Sequence, residues 1–192
     1  MNIILASTSP RRRELMDLMG LRYEILAPEG EEIFNPSLSP ADLVQQLARQ
    51  KGENVAARSG DDALVIAADT VVALGSWVLG KPRDAADAVA MLTALSGKAH
   101  SVFTGVCMFG QGKIVVESEE TLVHMRPLSQ AEIAAYVDSG EPMDKAGAYG
   151  IQGGASRFIP RIEGDYFNVM GFPVCRIGQM LANHFGLPLS FR

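Results

Sequence analysis

Apolar residues recur along the chain with two different periods, which together predict an α/β fold. Continuous or alternating apolar runs predict strands over residues 2–6, 22–27, 63–73, 102–109 and 113–125. Apolar residues at helical spacing predict helices over residues 10–19, 39–58, 85–96, 129–137 and 172–184. Strands that alternate with helices, plus one long hairpin, are typical of a mixed sheet. No repeat or linker interrupts the pattern, so a single domain over residues 1–192 is expected.

Composition excludes several classes of protein. The 192 residues carry a net charge of −5, which argues against nucleic acid as a partner. The longest apolar stretch, residues 63–74, is too short to cross a membrane and contains Asp69. Cys107 and Cys175 have no CxxC partner and are expected as reduced core residues of a cytoplasmic protein. The three histidines form no HxxxH pair, so no zinc site is expected.

The first strand ends in a segment that suggests an anion site. Ser7-Thr8-Ser9 is followed by Pro10, which suits the first turn of a helix, and Ser9 suits the N-cap. Three arginines then occupy the first turn, where the helix dipole favours negative side chains. Two interpretations remain open. The segment binds an anion such as phosphate, or it is a capped surface helix with solvated arginines.

A carboxylate in the middle of an apolar strand is the second chemical signal. Asp69 is costly there without a partner, and it could be a structural acid, a ligand of a divalent cation or a general base. A Walker B segment is excluded, because the chain has no GxxxxGK[ST] motif. Lys81 follows in the turn Gly80-Lys81-Pro82. A returning hairpin would bring it near Asp69, unless it is an ordinary surface lysine.

A glycine-rich segment, residues 145–154, is the third signal. Its four glycines allow a backbone to approach a ligand closely, and Gln152 offers both a donor and an acceptor to a base edge. The segment does not match GxGxxG, so a dinucleotide site is not expected. A flexible loop is the alternative interpretation.

Taken together, these motifs resemble the Maf family of nucleoside triphosphate pyrophosphatases, which is named for septum formation. The resemblance runs nearly end to end and rests on residues 7–12, 31–32, 48–51, 68–70, 80–82, 145–153 and 164–173. It implies a single α/β domain with a mixed, twisted sheet flanked by helices and a deep central cleft. That architecture is related to inosine triphosphate pyrophosphatase.

The resemblance also implies an activity and a set of site residues. Family members hydrolyse a nucleoside triphosphate between the α and β phosphates with a divalent metal, usually magnesium or manganese, and they often form homodimers. By similarity Asp69 is the proton acceptor, and Glu32 joins it at the metal. The phosphate-binding residues implied are Ser7, Ser9, Arg12, Lys51 and Lys81.

Three further positions bear on the substrate. By resemblance, Arg11, Thr70 and Gln152 indicate the branch selective for dTTP and UTP, whereas the 7-methylguanosine triphosphate branch carries an aromatic residue, a glutamine and a glutamate. The alternatives are a pyrophosphatase for another non-standard nucleotide, such as 7-methyl-GTP, and a nucleotide-binding regulator of cell division. Asp69, Lys81 and Glu32 favour an enzyme, because a pure binder would not need the base.

Overall fold

The computed structural model describes residues 1–188 and has an α/β fold with a mixed sheet of seven strands. The strands are β1 Asn2–Leu5, β2 Glu24–Ile25, β3 Ala63–Leu74, β4 Trp77–Leu79, β5 Ala99–Gly110, β6 Lys113–His124 and β7 Arg161–Glu163. The helices are α1 Pro10–Leu18, α2 Pro40–Ala56, α3 Ala85–Leu95, α4 Gln130–Asp138, α5 Tyr166–Val169 and α6 Val174–Phe185. The described helices include none that is long and apolar enough to cross a membrane.

The sheet is mixed, as the sequence predicts. Its strand order is β2-β1-β3-β5-β6-β7, and β4 pairs with β3. Strand β1 runs parallel to both β2 and β3, whereas β3–β4 and β6–β7 are antiparallel pairs. The chain groups into two compact units, and β3, β5 and β6 each contribute residues to both. Unit 1 contains residues 1–69, 104–119 and the described residues from 171 onward, and unit 2 contains residues 70–103 and 120–170.

In unit 1, helix α2 packs closely on strand β5. Apolar residues of α2, including Ala48 and Val55, share a core with Cys107 of β5. A Cβ atom at Gly105 would lie 2.1 Å from the backbone oxygen of Val44, so only glycine allows this approach. These contacts fix the position of α2 on the sheet.

In unit 2, helices α3 and α4 enclose a second core with β3 to β6. Its buried members include Leu92, Val102, Ile133 and Tyr149. His100 is buried beside Tyr149, and their Nε2 and hydroxyl oxygen are 2.8 Å apart. Burial lowers the pKa of His100 to about 4, so the ring is neutral at physiological pH.

Most elements agree with the sequence prediction. Ser39, Asp84 and Ser129 cap α2, α3 and α4 through their side chains, and Ser129 with Glu132 forms a full capping box. Strand β2 is shorter than predicted. Strand β4 is the return strand of the hairpin expected after Asp69, whereas β7 and α5 were not predicted, because elements of three or four residues carry almost no periodicity.

One cysteine assignment was wrong. Cys107 is buried, but Cys175 is exposed. Helix α6 turns Ile177, Met180 and Leu181 into the core, and Cys175 lies on another face of that helix.

Candidate active site

Two carboxylates and a lysine meet in unit 1, and we call them the acid–lysine cluster: Glu32, Lys51 and Asp69. The Lys51 ammonium contacts Asp69 Oδ1 and lies 3.1 Å from Glu32 Oε1. The side chains of Lys51 and Asp69 are only 12% and 14% exposed, whereas that of Glu32 is 45% exposed. Three segments far apart in sequence therefore bring opposite charges to one partly buried point.

Each member of the acid–lysine cluster comes from a different kind of element. Asp69 lies within the apolar strand β3, where its partner Lys51 offsets part of the cost of burial. Lys51 projects from α2, which is fixed on the sheet as described. Glu32 lies on a loop that Gln50 anchors to α2. The amide of Gln50 accepts from Ile33 N at 2.9 Å and donates to Ile33 O at 3.1 Å.

Arg12 lies at the start of α1 within electrostatic reach of the acid–lysine cluster. Its Nε donates to the backbone oxygen of Gly171 at 2.9 Å. Burial lowers the pKa of Arg12, the charges of Asp69 and Glu32 oppose this shift, and the charge of Arg11 adds to it. Arg12 thus brings a guanidinium group within electrostatic reach of both carboxylates in unit 1.

The serines at the start of α1 differ from the expected cap. Ser9 occupies the N-cap position with an extended backbone, but among the described residues its hydroxyl caps no amide of α1. Ser7 is buried, and its Oγ instead accepts from Ser9 N at 3.1 Å. Ser9 and Pro10 therefore occupy the predicted N-cap and first helical positions, but Ser9 makes no side-chain cap among the described residues.

In unit 2, the predicted hairpin after Asp69 is present. Thr70 is half-buried and lies two residues before Val72, where β3 begins to pair with β4 opposite Leu79. Lys81 follows β4 and is exposed. The backbone N–H of Gly147 donates to Gly80 O at 3.0 Å, so this turn and the glycine-rich segment lie together within unit 2.

Gln152 lies on an exposed turn that other residues of unit 2 hold in place. Gly153 N donates to Gly150 O at 3.1 Å across the turn, and Glu141 accepts from Gly154 N beyond it. A Cβ atom at Gly153 would lie 2.0 Å from Glu141 Oε1. Glu141 was not identified from the sequence. The repeated glycines were the available signal, because they imply that some group approaches the backbone closely.

The acid–lysine cluster also bears on a metal. Within residues 1–188, His, Cys, Asp and Glu side chains form no group of three or more that could hold a metal ion. Glu32 and Asp69 nevertheless both contact the Lys51 ammonium, so their carboxylates lie close to one point. Carboxylate oxygens are the protein ligands that magnesium prefers. Magnesium is commonly bound through one or two carboxylates together with substrate phosphates. The donor set therefore fits such an ion.

The chain is similar to several known proteins. The chain is 47% identical over 189 residues to a protein of Alkaliphilus oremlandii named dTTP/UTP pyrophosphatase, covering 97% of this chain and 98% of that protein. Proteins with the same name from Syntrophomonas wolfei and Bacillus cereus are each 49% identical, covering 93% of this chain and 95% and 93% of theirs. Among solved structures, the Staphylococcus aureus Ham1 protein matches with a TM-score of 0.46 and 16% identity, covering 65% of this chain and 72% of that one. Residues 2–184 match the family described as Maf-like protein, and the chain belongs to the Maf family.

Proposed function

We propose that the protein hydrolyses dTTP and UTP at the bond between the α and β phosphates, giving the nucleoside monophosphate and pyrophosphate. The observation that carries this proposal is the acid–lysine cluster, in which a partly buried carboxylate contacts a lysine and has an arginine in electrostatic reach. Relatives that share nearly half of their residues with the chain over almost its whole length are named for this activity.

In the proposed reaction, a water oxygen attacks the α-phosphorus and the bond to the pyrophosphate oxygen breaks. Asp69 orients this water and accepts its proton. Its position in a rigid apolar strand limits its movement, and the Lys51 contact fixes Oδ1. The leaving pyrophosphate takes the electron pair of the broken bond, so negative charge grows on the phosphate oxygens as they separate.

The positive groups stabilise that growing charge. Arg12, Lys51 and Lys81 bind phosphate oxygens, and Ser7 and Ser9 add hydrogen bonds at the start of α1. The Ser9 hydroxyl is suited to a ligand because it is not used as a helix cap within the described chain. Glu32 and Asp69 would hold a divalent cation, which supplies charge neutralisation for the phosphates when bound.

The residues proposed to select the base are Arg11, Thr70 and Gln152. A uracil or thymine edge presents two carbonyl acceptors and one N3–H donor. The Gln152 amide can donate to a carbonyl and accept from N3–H, whereas a glutamate in its place only accepts. Thr70 adds a hydroxyl immediately after the catalytic carboxylate.

A panel of triphosphates tests the proposal. The purified protein is incubated with magnesium and dTTP, UTP, CTP, ITP or 7-methyl-GTP, and both monophosphate and pyrophosphate are measured. The highest kcat/KM is expected for dTTP and UTP, with loss of activity in EDTA and recovery with magnesium or manganese. Release of orthophosphate in place of pyrophosphate, or binding without turnover, would overturn the proposed reaction. A preference for 7-methyl-GTP would overturn the substrate assignment.

A further inference from the structure

The turn that carries Gln152 is held by a pair of side chains that have no part in the proposed reaction. We call this pair the Tyr136–Glu141 clamp. Tyr136, on α4, donates from its hydroxyl to Glu141 Oε1 at 2.9 Å and accepts from Gly150 N at 3.1 Å. Glu141 accepts from Gly154 N through both carboxylate oxygens, at 3.1 and 2.9 Å. The clamp therefore binds the backbone amides of Gly150 and Gly154, which lie two residues before and two residues after Gln152.

The clamp is specific to this geometry. A Cβ atom at Gly153 would lie 2.0 Å from Glu141 Oε1, so any other residue there would displace the Glu141 carboxylate. A Cβ atom at Gly150 would lie 2.7 Å from the stem of Lys145, whose ammonium donates to the backbone oxygen of Glu141 at 2.6 Å. The backbone of the turn therefore approaches Glu141 directly at Gly153 and approaches Lys145, a hydrogen-bond partner of Glu141, at Gly150.

The energetics favour a rigid turn. Hydrogen bonds to a carboxylate are stronger than neutral ones, and the Tyr136 hydroxyl is buried with its ring against Phe158. Removal of the carboxylate would leave the Gly154 amide and the Tyr136 hydroxyl without an acceptor. The turn would then sample several conformations, and the Gln152 amide would meet the base in only a fraction of them.

We propose that the Tyr136–Glu141 clamp is a positioning device for base recognition, acting through Gln152 and without contact with the substrate. This inference rests on the proposed role of Gln152. Glu141 thereby has a role in specificity, in contrast to Asp69 and Glu32, the carboxylates proposed for catalysis and metal binding. It also gives a reason for the density of glycines in the segment.

The test compares dTTP with 1′,2′-dideoxyribose 5′-triphosphate, which keeps the sugar and phosphates but has no base. The ratio of their kcat/KM values isolates base recognition, because loss of folded enzyme lowers both values equally. Gln152→Ala is expected to lower this ratio about tenfold, and Glu141→Ala by a similar factor. Glu141→Gln and Tyr136→Phe keep part of the clamp and should lower it less. They also serve as the test if Glu141→Ala does not fold.

A matched control and a double variant complete the test. Glu132→Ala breaks the capping box on the same helix, α4, and should leave the ratio unchanged. In Glu141→Ala/Gln152→Ala the ratio should fall no further than in Gln152→Ala alone, because both changes act on one contact. If Gln152→Ala lowers the ratio and every clamp variant leaves it unchanged, the clamp inference is overturned while the proposed function stands. If Gln152→Ala leaves the ratio unchanged, the assignment of Gln152 fails, and the clamp inference fails with it.

Discussion

The two units organise their polar groups in opposite ways. In unit 1, opposite charges from a strand, a helix and a loop converge, and the ion pairs at Lys51 are the principal contacts. In unit 2, the glycine-rich segment is shaped by backbone amides that donate to Glu141 and Tyr136. Positive charge suits the binding of phosphate, because phosphate oxygens are negatively charged and act only as acceptors. A base edge carries both donors and acceptors, so it requires complementary groups in fixed directions. The contrast predicts that changes in the acid–lysine cluster alter the rate and that changes in the glycine-rich segment alter the choice of substrate.

The largest effect is expected from the removal of the proposed base in unit 1. Asp69→Asn keeps the shape of the side chain but cannot accept the proton, so kcat should fall about 10²- to 10⁴-fold for every triphosphate. Pyrophosphate release measures the loss, and circular dichroism checks the fold. Asp61→Asn, an exposed acid just before the same strand, is the matched control and should retain activity. Turnover near the wild-type rate in a folded Asp69→Asn protein would remove Asp69 from this role.

In unit 2, the next effect concerns stability and its dependence on pH. Burial lowers the pKa of His100 to about 4, whereas an unfolded histidine has a pKa near 6.5. Between these values the unfolded state binds the extra proton. The free energy of unfolding should therefore be unaffected by His100 above about pH 6.5 and should fall by up to roughly 3 kcal/mol as the pH drops to 4.

Urea denaturation at several pH values measures this dependence. His100→Phe cannot bind the proton, so its unfolding free energy should fall less steeply between pH 6.5 and 4, whatever its stability at pH 7. His184→Gln, an exposed histidine, should keep the wild-type slope. Equal slopes for His100→Phe and wild type would show that His100 is not the group that titrates.

A substitution in the glycine-rich segment should alter the choice of substrate. Gln152→Glu replaces the amide donor with an acceptor, so a uracil carbonyl loses its partner and kcat/KM for UTP should fall about tenfold or more. The value for 7-methyl-GTP should fall less or rise. Gln130→Glu makes the same charge change at the exposed start of α4 and is the control. Unchanged UTP turnover in Gln152→Glu would refute the role of Gln152.

The smallest expected effect is on stability, and it compares the two serines at the N-caps of α1 and α2 in unit 1. The Ser39 side chain caps α2, so Ser39→Ala should lower the free energy of unfolding by about 1 kcal/mol. Ser9→Ala should lower the free energy of unfolding by only about a few tenths of a kcal/mol, because this hydroxyl does not cap α1 within the described chain. Ser9→Ala should instead raise KM for the triphosphate. A large loss of stability with unchanged KM would identify Ser9 as structural.

The sequence predicts the long elements well, since their periodicity and caps are local properties. Helix α2 with its Ser39 cap and strand β3 with its apolar run illustrate this. The contact between Lys51 and Asp69 could not be derived from local pattern, because it depends on how α2 packs on the sheet. Lys51 entered only through resemblance to a family. Glu141 was missed for the same reason, since its role appears only when the turn after Gly150 is folded against it.

The absence of one side chain governs where the Lys51 ammonium rests. Gly105 lies on the neighbouring strand and carries no charge, yet a methyl group there would collide with the backbone of Val44 and force α2 outward by roughly 1 Å. Every charged group would still be present, but the lysine would be moved away from Asp69 on β3, whereas the loop of Glu32 is bonded to α2 and would move with it. An uncharged substitution at Gly105, which alters only the spacing between helix and sheet, should therefore weaken the contact between Lys51 and Asp69.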